Sequence, residues 1–482
     1  MPARMEFSLK TSPQNQARRT DLQPMRLLIL GDFSGKPAIE RPALASRPTH
    51  RVDFDNLDAV IQRLAPRLQL PMGDIGFEQI DDFHPDRLDP WLQARPGQAP
   101  STAAAAEPGP AMATRAPDTP DNAPSKTPDD GLLARLLGGQ PAQTPQASTP
   151  EQAIEALIRG IVAAPSSGQA VAAIMAGKQA SHQPQGPDAE RLRGLLHTPA
   201  FQSLEAAWRG VQWLVSSLEL DDTLQLHLFD ISRDEWRADV VAAQGHVEQT
   251  ALCAALIDRW PRTNSAPHWA ALVGLFQFGP SDADIGLLAA LGQVAARAGC
   301  PLLAGGDLAL ADHHTGDDNP SSPNTTLASW HDLRRSEVAP WISLAAPRLL
   351  LRLPYGRRGD PVPGFAFEEF SSVPVHEHYL WGSGALACAW QIGQGFSARG
   401  WAFEPGDTRE IGGLPAYSFE QDGEPTLQAC AEFYGGDARA EALLGAGLTP
   451  LLSHRHRNAA TVMRLQSIAE PPTALAGLGQ LA

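Results

Sequence analysis

The sequence predicts an α/β protein in three parts: a small N-terminal α/β module (residues 1–92), a Pro/Ala-rich linker with short helices (93–189) and a larger α/β core (190–470), followed by a tail (471–482). Three observations carry this expectation. Residues 195–218, LLHTPAFQSLEAAWRGVQWLVSSL, hold apolar side chains at steps of three and four, the signature of an amphipathic helix that must bury one stripe. After it, short apolar runs alternate with helix-periodic segments, which is the pattern of strand–helix–strand crossovers. The 43 prolines make up about 9% of the 482 residues, against an average near 5%, and many of them cluster between residues 95 and 150.

Taken in order, residues 1–21 are polar and read as an arm. The run 25–30, MRLLIL, predicts a buried strand ended by Gly31 and the turn GDFSGK. Pro37, Pro42 and Pro48 keep the next stretch extended, and the pattern then passes from Val52 and Phe54 to helical spacing at Leu57, Val60, Ile61 and Leu64, with Asp53 or Asp55 as cap. Leu68 and Leu70 suggest another strand, and 75–80 a third. Residues 95–130 have too little apolar bulk to offset the entropy of ordering and are expected to be disordered. Leu132, Leu133, Leu136 and Leu137 make one short apolar helix face there, and 153–162 makes another.

In the long amphipathic helix Thr198 suits the N-cap and Pro199 the first turn, and Leu204, Ala207, Trp208, Val211, Leu214, Val215 and Leu218 form the buried stripe. Leu224, Leu226 and Leu228 alternate as a half-buried strand. Helix over 251–260, strand over 271–276, helix over 284–298 and strand over 301–304 follow, then a polar loop at 312–326, a strand at 347–355, a small-residue helix at 380–396 and edge strands at 411–419 and 448–454.

A formal net charge of −16 and a pI near 5.3 argue against a nucleic-acid surface. Cys253, Cys300, Cys388 and Cys430 are far apart and unpaired in pattern, as in a reducing cytoplasmic protein. No apolar run reaches the roughly 20 residues of a membrane span, and the N-terminus has no secretory pattern, so membrane insertion is not expected.

The candidate chemistry is thin. Gly31 to Gly35 in GDFSGK is one residue short of a phosphate loop, and Pro37 stands where a magnesium-binding hydroxyl belongs. Neither Ser34 nor Ser383 lies in the frame of a G-x-S-x-G elbow. Asp312, His313 and His314 form one possible metal cluster; His376, Glu377 and His378 form another, if a strand puts both histidines on one face. Glu368 and Glu369 are neighbours that rarely converge on one substrate, and the pairs Arg334/Arg335 and Arg357/Arg358 offer docking points for an acidic partner. No catalytic, cofactor-binding or metal residue is assigned.

In order and wording, MRLLILGDFSG, RPTHRVDFDNLDAV and DDFHPDRL resemble the small subunit (TssB or VipA) of the contractile sheath of the bacterial type VI secretion system. LLHTPAFQSLEAAWRGVQWLV, GLFQFG, PRLLLRLPYG, FEEF, HEHYLWG and GLPAYSF resemble its large subunit (TssC or VipB). The resemblance covers residues 25–92 and 190–470, as if both subunits were joined in one polypeptide. It implies a phage-tail-sheath-like α/β core and a cytoplasmic structural role without an active site. The implied partners are other sheath subunits, stitched by exchanged strands, with an inner tube protein and a baseplate. It also implies a ClpV-type AAA+ unfoldase docking on an N-terminal helix of the large subunit, whose place is taken here by Leu132, Leu133, Leu136 and Leu137. The sequence departs from the family in replacing the small subunit's helical tail with linker and in ending at Ala482, where a large subunit continues. A fused sheath subunit and a non-polymerising adaptor or cap both fit this pattern, an α/β enzyme less well. Whether the first module packs on its own chain or on another is open, because the linker spans either.

Overall fold

A strand with four successive apolar residues needs cover on both faces. In the computed structural model MRLLILG has it: β1 (Met25–Gly31) lies inside a nine-stranded sheet, with Leu27, Leu28, Ile29 and Leu30 fully buried. The structure describes residues 23–70, 73–88, 187–260, 268–311, 328–370, 374–421 and 423–478. They belong to one compact unit drawn from both ends of the chain. The expected linker as far as residue 186, the short helices at 132–137 and 153–162, and Asp312, His313 and His314 lie outside the described residues, and residues 187–189 already belong to a helix.

β1 leads to β2 (His50–Val52), α1 (Leu57–Leu64), β3 (Arg67–Leu70) and β4 (Gly73–Gly76). The N-cap of α1 is Asn56 and not Asp53 or Asp55; Asp53 instead shapes the turn before the helix, accepting from Asn56 N at 3.0 Å. The strand expected over 75–80 is cut short, because Asp82 accepts from the amides of Glu78 and Gln79 and closes a 3-10 turn, Ile80–Phe83.

The long amphipathic segment is two helices, α2 (Pro187–Leu196) and α3 (Pro199–Ser217). Thr198 stands at the N-cap and Pro199 opens α3, as expected, but the Thr198 hydroxyl makes no cap bond and donates back to Leu195 O at 2.8 Å. All seven stripe residues are buried. β5 (Leu224–Asp230), α4 (Arg233–Ala242) and α5 (Ala251–Cys253) follow, the last running on as a π-turn, Ala254–Asp258. Then come β6 (Ala271–Phe278), α6 (Asp282–Ala298), β7 (Leu302–Gly306), α7 (Ala328–Arg334) and β8 (Ile342–Ala346).

The strand expected over 347–355 survives only as β9 (Leu349–Leu350), because prolines at 347 and 354 bracket it; the buried strand is β8, just upstream. β9 pairs with β10 (Trp381–Gly382), so the helix expected from 380 begins later, as α8 (Ala385–Arg399). The edge strand expected over 411–419 splits into β11 (Glu410–Ile411) and β12 (Ser418–Gln421), the latter in a separate hairpin with β13 (Glu424–Leu427). After α9 (Asp437–Gly445), β14 (Leu448–Ser453) is an interior strand, paired with β8 and with β15 (Ala460–Val462), and the sheet edge falls to β11.

The sheet order is β11-β15-β14-β8-β7-β6-β1-β5-β2. β1 runs parallel to both neighbours, Met25 beside Leu224 and Leu27 beside Ala271. Its side chains alternate between two cores. Met25, Leu27 and Ile29 join α3 and α8 on one face, while Leu28 and Leu30 join α4, α5 and α6 on the other. Each fully buried leucine or isoleucine contributes about 1.5–3 kcal/mol. The segment resembling a small subunit thus packs in cis, through the middle of the sheet.

Candidate functional site

The turn GDFSGK leaves β1 at the carboxyl end of the sheet, where α/β folds commonly bind ligands. Its amides face a carboxylate of the same chain. Asp230, the last residue of β5, accepts from Phe33 N at 2.8 Å and Ser34 N at 3.0 Å through Oδ1, and from Ser34 Oγ at 2.7 Å through Oδ2. An internal anion thus sits where a phosphate loop would hold phosphate. Gly35, at φ +61°, is required because a Cβ would lie 2.5 Å from Arg67 O.

Two arginines complete this lock. Arg41 reaches Asp32 Oδ1 at 2.7 Å and Asp230 Oδ1 at 3.4 Å; Arg47 donates to Asp230 O at 2.6 Å and Glu235 Oε2 at 2.8 Å. Burial pushes the Asp32 carboxyl up, with Arg41 pulling the other way. Trp208 of α3 closes the inner side, donating to Phe33 O at 2.9 Å. Ser34 is therefore committed to Asp230 as a donor.

A second cluster joins the motifs LEAAWRG, RLPYG and FEEF. Arg352 donates from Nε to Glu205 Oε1 at 2.9 Å, and from Nη1 and Nη2 to Glu369 at 2.8 and 3.1 Å. Tyr355 N donates to Glu369 Oε2 at 2.8 Å, while the Tyr355 hydroxyl donates to Glu205 at 3.3 Å and accepts from Arg209 at 3.1 Å. Glu205 and Glu369 are 0% and 1% exposed, so two carboxylates face two guanidiniums out of water. Burial alone would raise the Glu369 carboxyl; Arg352, His197 and the Tyr355 amide together hold it below its ordinary value. Burial and Glu205 push the Tyr355 phenol up. Glu369 is taken up by Arg352 and Tyr355 N, and Glu205 by Arg352, Arg209 and the phenol, so the geometry is that of a clamp fixing α3 to two loops.

The remaining sequence candidates separate. Glu368 and Glu369 diverge, the former pairing with surface Arg357 at 3.0 Å. His376 and His378 lie on a 3-10 turn, His376–His378, and not on a strand: His376 Nε2 is 3.0 Å from Glu432 Oε1, and the His378 ring stacks on His197. Among the described residues no group of three or more His, Cys, Asp or Glu is arranged to hold a metal ion. Ser383 accepts from Ala385 N at 3.3 Å beside the start of α8. Arg334 is buried and donates to Ile468 O and Gly445 O at 3.0 and 3.1 Å, so it is unavailable to an acidic partner, whereas Arg335 is exposed. Arg358 pairs with Glu420 at 2.8 Å. The four cysteines are free and buried, and burial lifts the Cys388 thiol to about 12.

Sequence reasoning missed Glu205, Arg352, Tyr355, Arg41, Arg47 and Asp230. A signal was there for two of them. Glu205 interrupts the apolar stripe of α3 and Arg352 interrupts PRLLLRLPY, and a charge inside an apolar run marks a buried, paired ion.

Residues 189–469, more than half of the chain, match the model of the VipB (EvpB) tail sheath N-terminal domain. The chain belongs to this family. Residues 1–90 match the VipA family of the type VI secretion system. Among individual proteins, the chain is 30% identical over 291 residues to the type VI secretion system sheath protein TssC1 of Pseudomonas aeruginosa, covering 58% of each. It is 32% identical over 90 residues to the sheath protein TssB1 of the same organism, covering 15% of this chain and 52% of that one. The chain thus spans little more than half the length of either relative. Small- and large-subunit sequences follow one another in a single polypeptide, and the lock and the clamp both fall within matched segments. No helix among the described residues is long and apolar enough to cross a membrane.

Proposed function

We propose that this chain is a structural subunit of a type VI secretion contractile sheath, a small and a large subunit fused into one protomer that works by assembly and catalyses no reaction. The observation that carries this reading is the position of β1. The strand from the VipA-matching segment lies between β5 and β6 of the VipB-matching segment, so one chain supplies what a pair of subunits would supply together. The lock at Asp230 and the clamp at Arg352 support it, since both use their charged groups to hold segments together. Its partners in this reading are other sheath subunits, an inner tube protein and a baseplate, in the cytoplasm. Docking of a ClpV-type unfoldase on Leu132, Leu133, Leu136 and Leu137 belongs to the same reading.

Electron microscopy of the purified full chain, alone and mixed with separately made small and large sheath subunits, tests it. Tubes or filaments containing the chain are expected. Discrete particles that bind sheath ends without entering the lattice would replace this reading with that of an adaptor or cap.

A further inference from the structure

Apart from the lock and the clamp, two imidazoles lie face to face. His197, at the corner between α2 and α3, and His378, closing the 3-10 turn His376–His378, have ring centroids 3.9 Å apart and planes 11° from parallel. The His197 side chain is 11% exposed, and its Nε2 lies 3.4 Å from Glu369 Oε1, near enough for a charge contact but outside good hydrogen-bond alignment. Phe370 flanks its ring at 6.1 Å.

The charges around this pair suit one proton and oppose two. Glu369 lies beside His197, though it already serves Arg352 and Tyr355 N. Glu377 on the turn is 3.4 Å from Arg348 Nη2, and Glu432 is divided between Arg348 and His376. Glu369 can balance one charge in the stack; a second would face the first at stacking distance, where like charges repel strongly. Burial and the His197 ring hold the His378 imidazole below its ordinary value, against the pull of Glu369 and Glu377.

The stack also has something to hold. Besides it, the turn is tied to α3 by a hydrogen bond from Gln202 Nε2 to Glu377 O at 3.0 Å, at the surface. Behind the turn is a satellite core of Leu350, Tyr379 and Trp381 with Phe370 and Tyr417, which carries the hairpin β12–β13.

We propose that the His197–His378 stack is a one-proton latch: neutral or singly protonated it pins the turn 376–378 to the α2–α3 corner, and a second proton parts the rings and frees the turn with its satellite core. Hydrogen exchange of the full chain, read by mass spectrometry between pH 7.5 and 5.0 and corrected for intrinsic rates, tests this. Protection across residues 376–382 should fall on acidification while that of β6 holds. His378→Phe keeps a stacked ring without a titrating nitrogen and should abolish the local fall. An equal fall in the variant, or none in the natural chain, overturns the latch. If His378→Phe fails to fold, imidazole NMR titration of the natural chain decides: one ring should titrate well below the other, and two independent titrations near the ordinary value overturn it.

Discussion

The carboxylate of Asp230 accepts hydrogen bonds from both the amide and the hydroxyl of Ser34, 196 positions earlier in the chain. One side chain at the end of β5 thereby fixes the loop that leaves β1. Asp230→Ala would orphan two buried amides and leave Arg41 without part of its counter-charge. Breaking a buried ion pair from one side costs about 3–5 kcal/mol, and urea unfolding should show a loss of that size. Asp230→Asn should cost less, since its amide oxygen still accepts from the loop.

Arg352 neutralises two carboxylates that are almost wholly out of water. Arg352→Met should therefore destabilise the fold by about 3–5 kcal/mol, whereas the triple replacement with Glu205→Met and Glu369→Leu should recover much of that loss. Thermal melts at neutral pH compare the two. Because the Glu369 carboxyl is depressed in the fold, its stabilisation is present above its unfolded value, 4.5, and is lost as pH falls through the lower folded one.

His227 and His268 are both held down to about 4, mainly by burial and then by Arg26. Unfolding lets each take up a proton between its folded value and the ordinary 6.5, so stability should fall as pH drops from 6.5 towards 4. His227, the more enclosed, contributes up to about 3 kcal/mol of that slope. His227→Gln should flatten the dependence of the unfolding free energy over this window and leave it unchanged at pH 8.

Cutting the chain should not separate its parts. With a protease site engineered into residues 101–181, the two products should co-elute on gel filtration without denaturant, because β1 is hydrogen-bonded on both sides. Dissociation in mild buffer would contradict the interior placement of β1. Leu28→Ala in the same strand should cost about 2–5 kcal/mol.

Much of the fold was readable from local pattern. β1, α1, β5, β6 and α6 carry clean periodicity and lie within a few residues of where it puts them. Where an element ends through a long-range contact, pattern was silent. β9 and β10 pair only with each other across about 30 residues of irregular chain, and β14 reads as an edge strand although β8 and β15 flank it. The clamp was hidden for the same reason: Glu205 and Arg352 are 147 positions apart, and no spacing rule joins them. MRLLILG did announce its place, since the unbroken apolar run from Leu27 to Leu30 belongs inside a sheet, but which strands would flank it is a matter of topology.

The central position of β1 also bears on how the molecule is made. The ribosome makes Met25–Gly31 long before its sheet neighbours, which begin about 200 residues later with β5 and later still with β6, so an apolar segment must wait in water or in the grip of a chaperone until both have been made. Nascent chains stalled before residue 224 should therefore recruit hydrophobic-segment binders, and synonymous codons that slow synthesis there should lower the soluble yield.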